Sequence, residues 1–128
     1  MAASSVSTTV AGQLSTRKDT MSCASGENDV VTINPNAGES LDQVIIDNSA
    51  GTAQIYVRIW ALASTGVTLG TSVPIAILTA GIRETVEYSF APAPVVETSM
   101  SAQVVQTSGY SATSLAPAWA VTVTFLTH

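Results

Sequence analysis

From Asp29 onward, apolar and polar residues alternate with period two, the spacing that sends successive side chains to opposite faces of a β-strand. Val, Ile, Thr and aromatic residues fill the runs, and Gly, Pro, Asn and Ser cluster between them. This is the pattern of strands and turns. It predicts strands over residues 30–33, 41–47, 54–62, 74–78, 82–90 and 100–107, an edge fragment at Val95-Val96, and a closing strand over 119–126. The clusters Asn34-Pro35-Asn36-Ala37-Gly38 and Asn48-Ser49-Ala50-Gly51 have turn chemistry. The second is expected to join 41–47 to 54–62 as a hairpin. Pro74 opens its strand, where a missing N–H is tolerated.

The alternation also sorts the faces. Ile55, Val57 and Ile59 share one side, with Tyr56, Arg58 and Trp60 on the other. Val86, Tyr88 and Phe90 point inward, as do Trp119, Val121, Val123 and Phe125, together with Val44/Ile46 and Ile75/Ile77. These sets fill the ~10 Å between two packed sheets. Seven or eight strands at ~8–12-residue spacing predict an all-β fold: an antiparallel two-sheet sandwich, jelly-roll-like. No repeat of 20–50 residues points to a solenoid or propeller.

Residues 1–28 break the pattern. They hold ten Ser or Thr, no aromatic residue and a formal charge of zero, from Arg17 and Lys18 against Asp19 and Glu27. We read them as an extended N-terminal arm and residues 29–128 as the sandwich domain. The arm is either a frayed terminus or a tether that orders on a partner.

Composition narrows the functional classes. Only 10% of the 128 residues are charged and the net charge is −5, against ~25% charged residues in an average soluble domain. At 46% apolar the chain can bury a core. Four Lys and Arg in total argue against nucleic acid, whose phosphates need many cations. No apolar run reaches the ~18–20 residues of a membrane span. No block after Arg17 and Lys18 resembles a secretory leader, so the chain is expected to mature where it is made.

Catalytic and metal chemistry find little purchase. The single Cys, Cys23, and the single His, His128, exclude an intrachain disulfide and a His/Cys zinc cage. Cys23 lacks a His partner and reads as a buried or inert thiol rather than a nucleophile. Glu84 with Glu87, and Asp42 with Asp47, are nominal carboxylate pairs, but odd spacing sends each pair to opposite faces of a strand. Glu39, Asp42, Asp47 and Asn48 lie close in sequence without a calcium-loop spacing, so turn and cap roles are preferred. No phosphate-binding glycine loop occurs. We therefore expect no enzyme, no cofactor and no metal.

Binding or assembly is what remains. Tyr, Trp and Arg dominate interface energetics, so Tyr56, Arg58 and Trp60 are candidate partner-binding residues if their face is exposed. The alternatives are a central strand buried on both faces, or the opposite assignment of its two faces. Outward positions filled by Ser, Thr, Ala and Gln do little by charge to prevent association.

The segments Val44-Ile45-Ile46-Asp47-Asn48-Ser49, Ile55-Tyr56-Val57-Arg58-Ile59-Trp60, Leu69-Gly70-Thr71-Ser72-Val73-Pro74 and Leu78-Thr79-Ala80-Gly81 follow one another in a familiar order. Met100-Ser101-Ala102-Gln103-Val104 and a final Ala/Val/Thr strand come after them. Over residues 44–126 this order resembles small all-β structural proteins of tailed bacteriophages, the capsid decoration or cement type. It departs in having Thr79 where a Pro is usual, and Ala91-Pro92-Ala93-Pro94 where a Gly-rich segment is usual. The resemblance implies a virion protein on the capsid surface, assembled in the host cytoplasm. It would be a homo-oligomer, a trimer by the family's habit, that binds the major capsid protein and neither nucleic acid nor membrane. The arm would grip the shell, with Arg17 and Lys18 on an acidic surface. Two alternatives stand beside it. One is a head- or tail-fibre domain that binds a host receptor. The other is a carbohydrate-binding sandwich with Tyr56, Trp60, Tyr110 and Trp119 as stacking rings.

Overall fold

The computed structural model describes residues 4–9, 17–34, 38–90, 95–96 and 99–128. Ten strands are present among them: β1 (Ser4–Thr9), β2 (Arg17–Cys23), β3 (Val31–Asn34), β4 (Glu39–Asn48), β5 (Ile55–Trp60), β6 (Ala76–Ala80), β7 (Glu84–Ser89), β8 (Val95–Val96), β9 (Met100–Val105) and β10 (Val121–Thr127). A single 3-10 turn, Ser64–Gly66, interrupts the connection after β5. The strands form two antiparallel sheets. The larger runs β1-β2-β10-β4-β7, with β8 pairing the start of β4, and the smaller runs β3-β9-β5-β6. The protein is a β-sandwich.

Alternation sets which side chains meet between the sheets. Met21 and Cys23 of β2, Val121, Val123 and Phe125 of β10, and Val44 and Ile46 of β4 face Ile55, Val57 and Ile59 of β5 and Met100, Ala102 and Val104 of β9. With only seven aromatic residues in the chain, the core is largely Val and Ile. Their branched side chains suit the pleated surface and are stiff at χ1, so burial costs them little rotamer freedom. β10 is central to the large sheet, paired with β2 on one side and β4 on the other. β9 is central to the small sheet and buried at every position.

Three expectations are corrected. First, the segment read as an extended arm contains β1 and β2. β2 pairs along its whole length with β10 and with β1, and Met21, Cys23 and Asp19 are buried. A strand that opens on Arg17, Lys18 and Asp19 and has two inward apolar residues carries too weak an alternation to stand out. Residues 1–3 and 10–16 of the expected arm lie outside the described residues. Second, β4 and β5 are not a hairpin: they lie in different sheets, and the turn between them carries the chain across the sandwich. Gly51 makes that crossing tight, since a Cβ there would meet the Asn48 side chain at 2.2 Å. Asn48 is buried and donates to the carbonyls of Ala53 (3.1 Å) and Gly81 (2.8 Å), while the Trp119 indole N–H donates to its Oδ1 (2.7 Å). Third, β6 sits one residue out of the expected phase. Ala76, Leu78 and Ala80 face the core, and Ile75 and Ile77 face out. A one-residue shift exchanges the two faces of a strand.

If β2 is an integral strand, Met21→Ala should lower unfolding stability by about 2–5 kcal/mol, the usual cost of truncating a buried long side chain. Urea denaturation checks this. An unchanged midpoint would restore residues 17–23 to a dispensable arm.

Candidate interaction surface

The two sheets differ in what covers their outer faces. On the large sheet the outward residues form rows, one of them Thr20, Thr124, Ile45 and Glu87 on neighbouring strands. On the small sheet the outward residues of β5 and β9 lie beneath two loops, residues 61–75 and 106–120. Arg58, Trp60, Ser101, Gln103 and Val105 are all buried there.

Arg58 holds this covering layer. Its side chain is fully buried and faces Gln103 of β9 across the pair register. Nε donates to the Gly109 carbonyl at 2.8 Å. Nη1 donates to Gln103 Oε1 (3.1 Å), Ser114 Oγ (3.1 Å) and the Ser111 carbonyl (3.3 Å). Nη2 donates to the carbonyls of Thr113 (3.2 Å) and Thr107 (3.4 Å). Carbonyls of residues 107, 109, 111 and 113 thus converge on one guanidinium as the loop turns around it, with Gly109 at φ +69°. Only arginine brings five N–H donors in a planar fork to such a ring. Burial pulls its pKa below the ordinary value, yet the group stays charged, as guanidinium does in proteins. The carbonyl dipoles replace the water it gave up.

A second circuit ties the layer to the segment after β2. Gln103 Nε2 donates to the Asn28 carbonyl at 2.9 Å, and the Asn28 side-chain amide donates to the Ser114 carbonyl. Gly26 N–H donates to the Pro117 carbonyl (2.8 Å). The loops also bond to each other, Gly70 N–H to the Tyr110 carbonyl at 3.1 Å. Gly70 adopts φ +83° with Ala112 so close that a Cβ would sit 3.0 Å from its amide nitrogen. The indole N–H of Trp60 donates to the Ser72 carbonyl at 2.9 Å.

The expected exposed stripe is therefore corrected. Arg58 and Trp60 bind the chain's own loops and only Tyr56 is half-buried; the strand is buried on both faces. The clue in the sequence was a lone Arg between Val57 and Ile59, with Gln103 in a strand otherwise free of large polar residues. Nothing local distinguished a covered face from an open one.

The remaining candidates separate. Arg17 forms an ion pair with Glu39 (3.4 Å), while Lys18 is exposed on the outer face of β2. The acidic cluster disperses. Glu39 Oε2 accepts from the Thr127 hydroxyl, Asp42 meets His128 Nδ1 at 2.7 Å, and Asp47 accepts from the Ser49 amide and the Thr85 hydroxyl. The bonds from Ser49 hold the Asp47 carboxyl below its ordinary value. Cys23 is buried in the core and donates from Sγ to the Glu27 carbonyl at 3.0 Å. Burial first, then the charges of Glu27 and Asp29, push its thiol up to about 11.

Comparison with protein-family models, with curated proteins and with solved structures finds no match.

Two outcomes follow. Arg58→Met would leave a ring of buried carbonyls without donors, each costing about 1–3 kcal/mol if it stays dry. Stability should fall by about 2–4 kcal/mol, and limited proteolysis should cut first within 107–114. Wild-type stability would refute the anchoring role. For Cys23, the folded value lies above the ordinary 9.0, so the folded protein keeps its proton while the unfolded chain releases it. Its contribution to stability is intact below about pH 9 and is lost as pH rises from about 9 to about 11. A thiol reagent at about pH 8 should label the chain only after denaturant is added. Rapid labelling of the folded protein would show that the thiol is accessible.

Proposed function

We propose that the chain is a bacteriophage virion structural protein of the capsid decoration type, self-associating and bound to the major capsid protein at the shell surface. The observation that carries this reading is the strand order. Leaving aside β1 and the two-residue β8, the sheets run β2-β10-β4-β7 and β3-β9-β5-β6. We read that order as a jelly roll, in which successive strands pass between two four-stranded sheets except where β5 and β6 pair as neighbours, an architecture used by viral capsid and lectin domains. β1 then adds a strand to the edge beside β2.

Fold alone does not choose between capsid and lectin roles; the placement of the aromatic residues supports the capsid reading. A glycan stacks on exposed rings. Trp60 is buried beneath Ser72, and Trp119 is half-buried with its N–H committed to Asn48. Tyr110 is the one candidate ring that is exposed. A single tyrosine supports a sugar platform poorly, and assembly is the stronger reading.

Co-sedimentation tests it. Purified chain mixed with undecorated capsid shells of the phage that encodes it should pellet with the shells at saturable stoichiometry. Shells that pellet without it would overturn the decoration role, and binding to host cells instead would favour a fibre domain.

A further inference from the structure

The charged residues are distributed unevenly over the fold. No Asp, Glu, Lys or Arg occurs in residues 59–82 or in residues 98–127. Those stretches supply β6, β9, β10 and both loops over the small sheet. β3 has no charged residue either, so among the described residues the small sheet and its covering loops hold one charge, Arg58, which is buried. The nine acidic residues and the other three basic ones lie elsewhere in the chain, on β2, β4 and β7 and in the segments beside strands.

The same region exposes apolar side chains. Val73 is 68% exposed, Ile75 45% and Ile77 37%. They follow period two into β6 and share its outward face. Ile75 N–H donates to the Ile59 carbonyl (2.7 Å), and Ile77 lies opposite Arg58 in the register. β6 is also a sheet edge, paired only with β5. The Tyr88 hydroxyl takes up one of its positions, donating to the Thr79 carbonyl at 2.6 Å and accepting from the Thr79 N–H at 3.3 Å. Alternate residues of an antiparallel strand turn their main-chain groups to the same side. Ile77 therefore presents its N–H and C=O to the open edge, with no strand beyond it among the described residues. An uncharged edge with outward apolar residues is what monomeric β proteins avoid.

We propose that this face, Val73, Ile75 and Ile77 with the open edge of β6, is where a second copy of the chain docks. This rests on the reading that the protein self-associates and names the surface that does it. The charge distribution selects the occupant. Near a rotation axis each side chain meets its own copy, so any charge there is doubled and repels itself. A chain of net charge −5 can bring identical surfaces together most readily where it carries none. A different protein would gain rate and specificity from complementary charges, and this face offers none.

Native mass spectrometry and light scattering on the full chain test the assignment, with thermal unfolding followed by circular dichroism to show that each variant folds. Ile77→Lys places a charge on the face, and Val73→Asp does so in a loop where a folding defect is not expected. Thr124→Lys is the control on the outer face of the large sheet. The expected result is an oligomeric wild type and control, with dissociation constants at least about tenfold weaker in both face variants. If all three variants remain as oligomeric as wild type, the surface is misassigned and self-association stands. If the wild type is monomeric and still pellets with shells, self-association falls and the capsid-binding reading survives.

Discussion

One buried cation organises the small-sheet side of this sandwich. Arg58 sits in the middle of a strand whose other face is core, and its guanidinium is enclosed by carbonyls from a loop about fifty residues further along the chain. Among the described residues no carboxylate appears among its hydrogen-bond partners. An ion buried this way loses several kcal/mol of hydration unless polar groups replace the water, so the loop and the arginine require each other. The loop has no regular structure of its own, and apart from Gln103 Oε1 it supplies the acceptors of the arginine. Gln103 and Asn28 extend the arrangement to the segment that follows β2, which links the covering layer to the large sheet.

A functional consequence follows from where the charge goes. Using an arginine internally leaves the outside of the small sheet free of charge, because the loops that cover it are built from Ser, Thr, Gly, Ala and a few apolar residues. The large sheet carries six of the nine acidic residues and an outer face that mixes hydroxyl, apolar and charged side chains. The molecule is thus two-sided, with an uncharged side over the small sheet and a charged side on the large one. Each property can be traced to specific residues, Arg58 on one side and Glu84, Glu87 and Asp47 on the other.

Much of the fold was legible in the sequence, because period-two alternation is strong wherever Val and Ile fill the inward positions. The eight strands expected after residue 29 all appear, within a few residues of their expected bounds. β1 and β2 were missed because Ser and Thr fill five of the six positions of β1, and in β2 Met21 and Cys23 share the buried side with the charged Asp19, which blurs the alternation. The β4–β5 crossing was misread because a four-residue turn cluster looks the same whether the chain returns in its own sheet or passes to the other. β6 slipped by one phase because Ile75-Ala76-Ile77-Leu78 is apolar at every position, and the larger isoleucines were preferred to the alanine that packs inward. The candidate surface was least legible. Periodicity separates two faces of a strand but does not say which is roofed, and the roof over Tyr56, Arg58 and Trp60 comes from loops remote in sequence.

The central claim is that the Arg58 guanidinium is sealed within the carbonyl ring, and nitrogen-15 spectra of the arginine side chains test it most directly. A sealed guanidinium has restricted rotation and protected protons. The account predicts that Arg58 shows resolved Nη–H signals and an Nε–H that exchanges orders of magnitude more slowly than that of the exposed Arg83. Rapid rotation and exchange at Arg58, indistinguishable from Arg83, would contradict it.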